Sequence, residues 1–175
     1  MSDSKMKLKS VRLSFPSLFK KAVFDGVETK FEATFLINKK TQSDLVKLID
    51  STIDQFLVDK FGEGKIPKGI KRTCFVDGDD KDYDGYAGHM AFKAGTTRRP
   101  TIIDRDKTPL VEEDGKPYAG CYVNAVVDLW YSDHPKGGKQ VLGNLLGVQF
   151  AKDGEAFGSG SIDVDDEFDD LDDDI

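Results

Sequence analysis

Residues Gly120 to Tyr131 (GCYVNAVVDLWY) constrain the fold most. Cys121, Val123, Ala125, Val127, Leu129 and Tyr131 form one nearly unbroken apolar face, and Tyr122, Asn124, Val126, Asp128 and Trp130 fall on the other. A period of two over that length is strand periodicity, because successive side chains in a strand point to opposite faces. The turn-rich run HPKGGK (134–139) follows and leads into Val141–Phe150. The two apolar stretches therefore read as a long hairpin.

The rest of the chain supplies shorter strands. Lys7–Phe15 alternates with Val11, Leu13 and Phe15 on one face, and Pro16 ends it. Lys30–Ile37 repeats the pattern with Phe31, Ala33, Phe35 and Ile37, after a turn at FDG (24–26). Arg72–Val76, Tyr86–Ala94 and Pro100–Asp104 are further strand candidates. One long helix is expected over Thr41–Phe61, capped by Thr41 with Asp44 in its first turn. Leu45, Leu48, Ile49, Ile53, Phe56 and Leu57 recur there at helical spacing as a core-facing stripe, and Gly62 and Gly64 end it. Many short strands with a single helix predict a mainly β protein. A five-stranded Greek-key barrel of the OB-fold type fits, and periodicity alone leaves a sandwich open.

Charge is unevenly placed. The net charge is −7, yet nine of the 32 acids lie between Ser159 and Ile175, where there is no basic residue. The remaining 158 residues carry all 25 lysines and arginines and are mildly basic. This divides the chain into a body over 1–158 and a tail over 159–175. The tail, GSGSIDVDDEFDDLDDDI from residue 158, opens on a Gly/Ser hinge and repels itself, so it is expected to be disordered. No apolar run approaches the roughly 18 residues of a membrane span, and the N-terminus lacks a signal-peptide core. The two cysteines, Cys74 and Cys121, form no CxxC pair and are expected to be buried free thiols in a reducing cytoplasm.

Catalytic patterns are scarce. His89 and His134 are the only histidines, no serine sits in a GxSxG elbow, and GEGK (62–65) is not a phosphate loop. Asp80, Asp82, Asp84 and Gly85 match the first half of a calcium loop, but Ala91 stands where the bidentate glutamate is required. An ordinary solvated loop is the better reading, and no metal or cofactor is expected. A metal-dependent nuclease built on Asp77–Asp84 is the weakest of the functional readings.

Nucleic-acid binding has broader support. Four stretches contain no acid: Lys65–Val76, Gly85–Ile103, Gly115–Val127 and His134–Lys152. They hold Lys71, Arg72, Lys93, Arg98 and Arg99, interleaved with Tyr86, Phe92, Tyr118 and Tyr122, with Trp130 close by. A single-strand groove needs both kinds of residue, cations to displace counterions from phosphates and aromatic faces to stack on bases regardless of sequence. Phe31, Phe35 and Phe56 sit on core faces and are excluded.

Three runs carry a family resemblance: RPTIIDRDKTPL (99–110), YAGCYVNAVVDLWY (118–131) and GVQFAKDGEAFGSG (147–160). Together they resemble phage single-stranded DNA-binding proteins, an Enterobacter phage member included, a group similar to the OB-fold helix-destabilising proteins of podoviruses. The resemblance implies an OB-fold and single-strand binding in phage replication and recombination, in the cytoplasm of the infected host. It adds Arg105 to the binding candidates Arg98, Arg99, Tyr118, Tyr122 and Trp130. It also implies a tail that modulates binding and recruits phage or host replication proteins, through Asp165, Asp166, Phe168, Asp172, Asp173, Asp174 and Ile175. The podoviral tails end in an aromatic residue, whereas this chain ends in Ile175. A non-enzymatic single-strand binder, monomeric or weakly dimeric, is the leading expectation. The alternative is a recruitment adaptor acting through the tail.

Overall fold

The alternating stretch around Val123 does form the longest hairpin of the molecule. The computed structural model describes residues 4–157. In chain order the elements are β1 (Met6–Ser17), β2 (Val23–Phe24), β3 (Val27–Glu28), β4 (Phe31–Asn38), α1 (Ser43–Phe61), β5 (Phe75–Asp77), β6 (His89–Thr96), β7 (Thr101–Ile103), β8 (Tyr122–Ser132) and β9 (Gln140–Lys152). The expected tail over 159–175 lies outside the described residues. The tail candidates Asp165, Asp166, Phe168, Asp172, Asp173, Asp174 and Ile175 lie outside them.

The main sheet runs β5-β6-β4-β1-β8-β9-β7, and β6 also pairs with β9. That last pairing is parallel, Ala94 opposite Gly143 and Gly95 opposite Asn144. It closes the ring β1–β4–β6–β9–β8, whose other pairs are antiparallel. Five strands closed in this order are the OB-fold barrel. The candidates Arg72–Val76 and Pro100–Asp104 correspond to β5 and β7, which extend the sheet beyond the five-stranded ring. Closure depends on a glycine. A Cβ on Gly143 would stand 2.6 Å from the Lys93 carbonyl oxygen and 2.9 Å from the Phe92 ring. No other residue allows the two backbones this close.

Inner-face side chains of the ring strands meet α1 in one core. Leu13, Phe35, Phe92, Val123, Val127 and Val141 are completely buried, as are Ile49 and Ile53 from the helix stripe. Each such side chain contributes about 1.5–3 kcal/mol of transfer free energy. Cys74 and Cys121 are buried and free. Burial pushes their thiols up to about 12 and about 11 respectively.

Four local expectations need correction. Pro16 does not end the first strand; β1 runs through it to Ser17, which pairs with Glu32 after the register shift. The helix begins at Ser43 and Thr41 does not cap it; Asn38 Oδ1 instead accepts from the Lys40 and Thr41 N–H groups. The predicted strand over Tyr86–Ala94 starts only at His89. Gly85 and Gly88 both have positive φ, which turns the backbone and leaves Tyr86 in a loop. Phe15 does not join Val11 and Leu13 inside. The register of β1 against β4 shifts between Ser14 and Ser17, Phe15 takes φ 45°, and its ring is 49% exposed. A bulge re-aims a side chain in this way.

Candidate nucleic-acid interface

The outer surface of β4 and β6 carries a groove of about 870 Å³. Its aromatic part is a ridge of three rings. Phe15 meets Tyr83 edge-on at 5.0 Å between centroids, Tyr83 meets Tyr86 at 5.1 Å, and Phe15 lies 6.4 Å from Tyr86. The three are not equivalent. Tyr86 is only 3% exposed, and its hydroxyl lies 3.0 Å from Ser14 Oγ. Burial raises the phenol above its ordinary range, and the hydrogen bonds from Ser14 and Thr34 oppose that shift. Tyr83 is 54% exposed and Phe15 nearly as much, so these two offer free ring surface propped on a fixed third ring.

Four cations line the same groove: Lys71, Arg72, Lys81 and Lys93. Two of them are held by carboxylates. Lys93 Nζ lies 3.6 Å from Glu32, and Arg72 bonds Asp54 and sits 3.7 Å from Asp50, both on α1. These are exposed surface pairs, which contribute little to stability and exchange readily with another anion. Lys71 is placed by its backbone: its N–H donates to Lys139 O at 2.9 Å, and its carbonyl accepts from Val141 N–H at 2.8 Å. The β8–β9 turn thus flanks one end of the groove.

The acidic loop of residues 77–85 serves this groove structurally. Lys39 Nζ donates to Asp77 at 2.5 Å and to Asp79 at 2.6 Å. Asp79 also accepts from Gly88 N–H at 2.8 Å. The Lys39 hydrogen bond holds both carboxyls below the usual aspartate range, and the two aspartates raise Lys39 in return. The network pins both ends of the loop that presents Tyr83. Among the described residues, no three His, Cys, Asp or Glu side chains converge as metal ligands.

The candidates named from sequence divide. Lys71, Arg72, Tyr86 and Lys93 come together in the groove. Phe92 does not: its ring is fully buried on the inner face of β6, tilted against Phe75 at 6.3 Å, and no base can reach it. Tyr86 supports the ridge from beneath rather than offering a face. Arg98 and Arg99 stand in the exposed turn after β6, Arg99 with its guanidinium 5.9 Å from the Phe19 ring. Arg105 is exposed in the turn after β7. Tyr118 donates its hydroxyl to Asp153 at 2.7 Å, and that hydrogen bond is the main cause raising its pKa. Trp130 is 43% exposed on the outer face of β8, opposite Leu142 on β9, outside the groove lining.

Tyr122 belongs to a separate cluster at the groove's edge. Arg12 lies 5.9 Å and Lys152 4.9 Å from its ring centroid. The Arg12 guanidinium donates to the carbonyls of Gly120 at 3.0 Å and Glu155 at 2.7 Å, and covers the Phe157 ring at 4.2 Å. Phe157 packs with Leu36, Tyr86 and Ala91, and lines a smaller cavity shared with Phe15 and Tyr83. Phe157 therefore lies beside the aromatic ridge. Phe15, Lys81, Tyr83 and Arg12 are the residues sequence reasoning missed. The only signals were Pro16 breaking the alternation at Phe15, and a lone tyrosine set among the aspartates of the 77–85 loop.

The chain is 43% identical over 175 residues to putative protein p50 of Acyrthosiphon pisum secondary endosymbiont phage 1, covering 95% of this chain and 94% of that one. The solved single-stranded DNA-binding protein from bacteriophage Enc34 in complex with ssDNA superposes with a TM-score of 0.78 at 28% identity, covering 89% of this chain and 90% of that one. Gp2.5, a single-stranded DNA-binding protein encoded by bacteriophage T7, shares the fold at a TM-score of 0.59 and 14% identity, over 96% of both chains. The family described as Enterobacter phage Enc34, ssDNA-binding protein, matches residues 4–175, and the chain belongs to it.

Proposed function

We propose that this protein binds single-stranded DNA without sequence preference, as a binding protein and not an enzyme. The observation that carries the reading is the groove on β4 and β6, where two exposed rings on a buried third share one surface with four cations. Lys71, Arg72 and Lys93 hold phosphates, with Lys81 beside them. Asp50, Asp54 and Glu32 give up their partners as phosphate arrives, so the groove exchanges one set of ion pairs for another. Phe15 and Tyr83 stack on bases over Tyr86. Tyr122, Trp130, Arg98, Arg99, Arg105 and Tyr118 are flanking contacts for a longer strand. The strands of this face are also where OB-folds bind oligonucleotides.

Binding only the single-stranded state protects it and destabilises duplex by mass action. The setting is phage replication and recombination in the cytoplasm of the infected bacterial host. The acidic tail modulates binding and recruits replication proteins. Its support is positional: acids begin at Asp163, six residues beyond Phe157, which packs at the rim of the ridge. A polyanion launched there competes with DNA for the same cations.

The test is fluorescence anisotropy of labelled oligo-dT against the full chain and a 1–158 truncation across a salt series. Salt-sensitive binding is expected, tighter in the truncation, with the difference shrinking as salt rises. Weaker binding by the truncated body at low salt would overturn the competitor role. No binding by either form would remove the single-strand reading and favour an adaptor acting through the tail.

A further inference from the structure

The most exposed large apolar side chains among the described residues sit together on the β2–β3 hairpin: Phe24 at 77%, Val23 at 65% and Val27 at 64%. The hairpin is firmly built. Asp25 and Gly26 both have positive φ, the pattern of a two-residue type I′ turn. At its base, Ala22 N–H donates to Lys30 O and Thr29 N–H donates to Ala22 O, each at 2.8 Å. Phe24 and Val27 are register partners, so they share one face of the ribbon. From Ala22 to Thr29 the only charges are Asp25 and Glu28, both negative. This is a rigid apolar knob with an acidic edge, held out in solvent by its own molecule.

A matching socket lies elsewhere on the same chain. On the outer surface of β1, β8, β9 and β7 is a hollow of about 490 Å³. Val126, Leu146 and Ile103 form its apolar floor, and Lys5, Lys7 and Lys9 line its rim. Lys7 and Lys9 alternate along β1 and so stand on one face, and Lys5 immediately precedes the strand. Among the described residues, no acid lines the hollow. The hairpin leaves β1 only after Ser17, past the bulge, and its apolar side chains remain bare rather than buried in this socket.

We propose that the β2–β3 hairpin of one copy seats in the β1–β8–β9–β7 hollow of the next. Phe24 and Val27 meet the apolar floor, and Asp25 and Glu28 meet the lysine rim. Knob and socket are different surfaces, so the contact is heterologous. Such contacts propagate head to tail unless the rotation closes a ring. Along a strand bound in the groove, this makes neighbouring copies bind cooperatively; that consequence rests on the function proposed above, whereas the contact itself does not.

Two experiments on the full chain decide it. Phe24→Cys/Leu146→Cys protein is treated with a short bismaleimide, both at high concentration without DNA and on poly-dT. The native thiols are buried and stay silent. A ladder of dimers, trimers and higher species is expected, while an equal mixture of the two single variants stops at dimers. Absence of the ladder under both conditions, or dimers from Phe24→Cys alone, would overturn the proposal. In the second experiment, Phe24→Ser is expected to lower cooperativity on long poly-dT about tenfold or more, on the scale of an interface hot spot, and to leave the affinity for a one-site oligo-dT unchanged. Equal loss on the short oligonucleotide would make the hairpin a DNA finger and sink the contact between copies. If the wild-type chain bound no oligonucleotide at all, the proposed function would fail, and the DNA-free cross-linking would still judge the interface.

Discussion

The two outer surfaces of the barrel solve opposite problems with similar residues. The β4–β6 surface gathers rings and cations, and it satisfies some of them internally: Tyr86 bonds Ser14, Arg72 bonds Asp54, and Lys93 pairs with Glu32. The β1–β8–β9–β7 surface also combines lysines with apolar groups, but among the described residues its hollow has no aromatic and no acidic lining. Internal ion pairs keep a groove soluble and selective for a ligand that can replace them. A bare apolar floor ringed by one sign of charge instead suits a partner of the opposite sign. The two proposals accordingly give the groove to DNA and the hollow to protein.

The sharpest way to break this comparison is to strip the ridge. Phe15→Ala/Tyr83→Ala should weaken one-site oligo-dT binding by about 1–3 kcal/mol for each base that loses its stack, read by anisotropy. Leu146→Ala, on the other surface, should leave that affinity unchanged. If the two variants behaved alike, the assignment of the surfaces would be wrong.

A smaller effect touches both surfaces at once. Gly143 lets β6 and β9 approach and close the ring. Gly143→Ala should cost about 1–3 kcal/mol through overpacking, lowering Tm by about 2–4 °C per kcal/mol in a calorimetric scan. An unchanged Tm would mean that the ring closes without the β6–β9 contact.

The smallest effect sharpens the groove alone. Asp77 and Asp79 lie below their ordinary values, so their contribution is complete above about pH 4 and is lost as pH falls through the lowered values. Lys39 is raised, so its share is present below its usual pKa and is lost as pH rises through the higher one. Hydrogen-exchange protection of the Gly88 amide should be flat from about pH 5 to 9 and fall at both extremes. Lys39→Met should remove that plateau while amides of β8 keep their protection. Equal protection in the variant would show that the Lys39 network does not hold the loop.

What the sequence determined by itself is whatever depends on local periodicity. The β8–β9 hairpin, the strand over Phe31–Asn38, the helix stripe through Ile49 and Ile53 and the buried cysteines all follow from alternation and composition within a few residues. Lys71, Arg72 and Lys93 were legible as cations of acid-free stretches, although nothing local showed that they meet. Only the tertiary structure decided which rings face outward. Phe92 obeys its strand's alternation and is buried because β6 turns that face to the core, whereas Phe15 escapes its own alternation through a bulge. Tyr83 stands beside Phe15 because Lys39, distant in sequence, holds its loop. Alternation says that two faces exist. Which one closes around the core is set by long-range pairing, here by the approach of β6 to β9 that Gly143 permits.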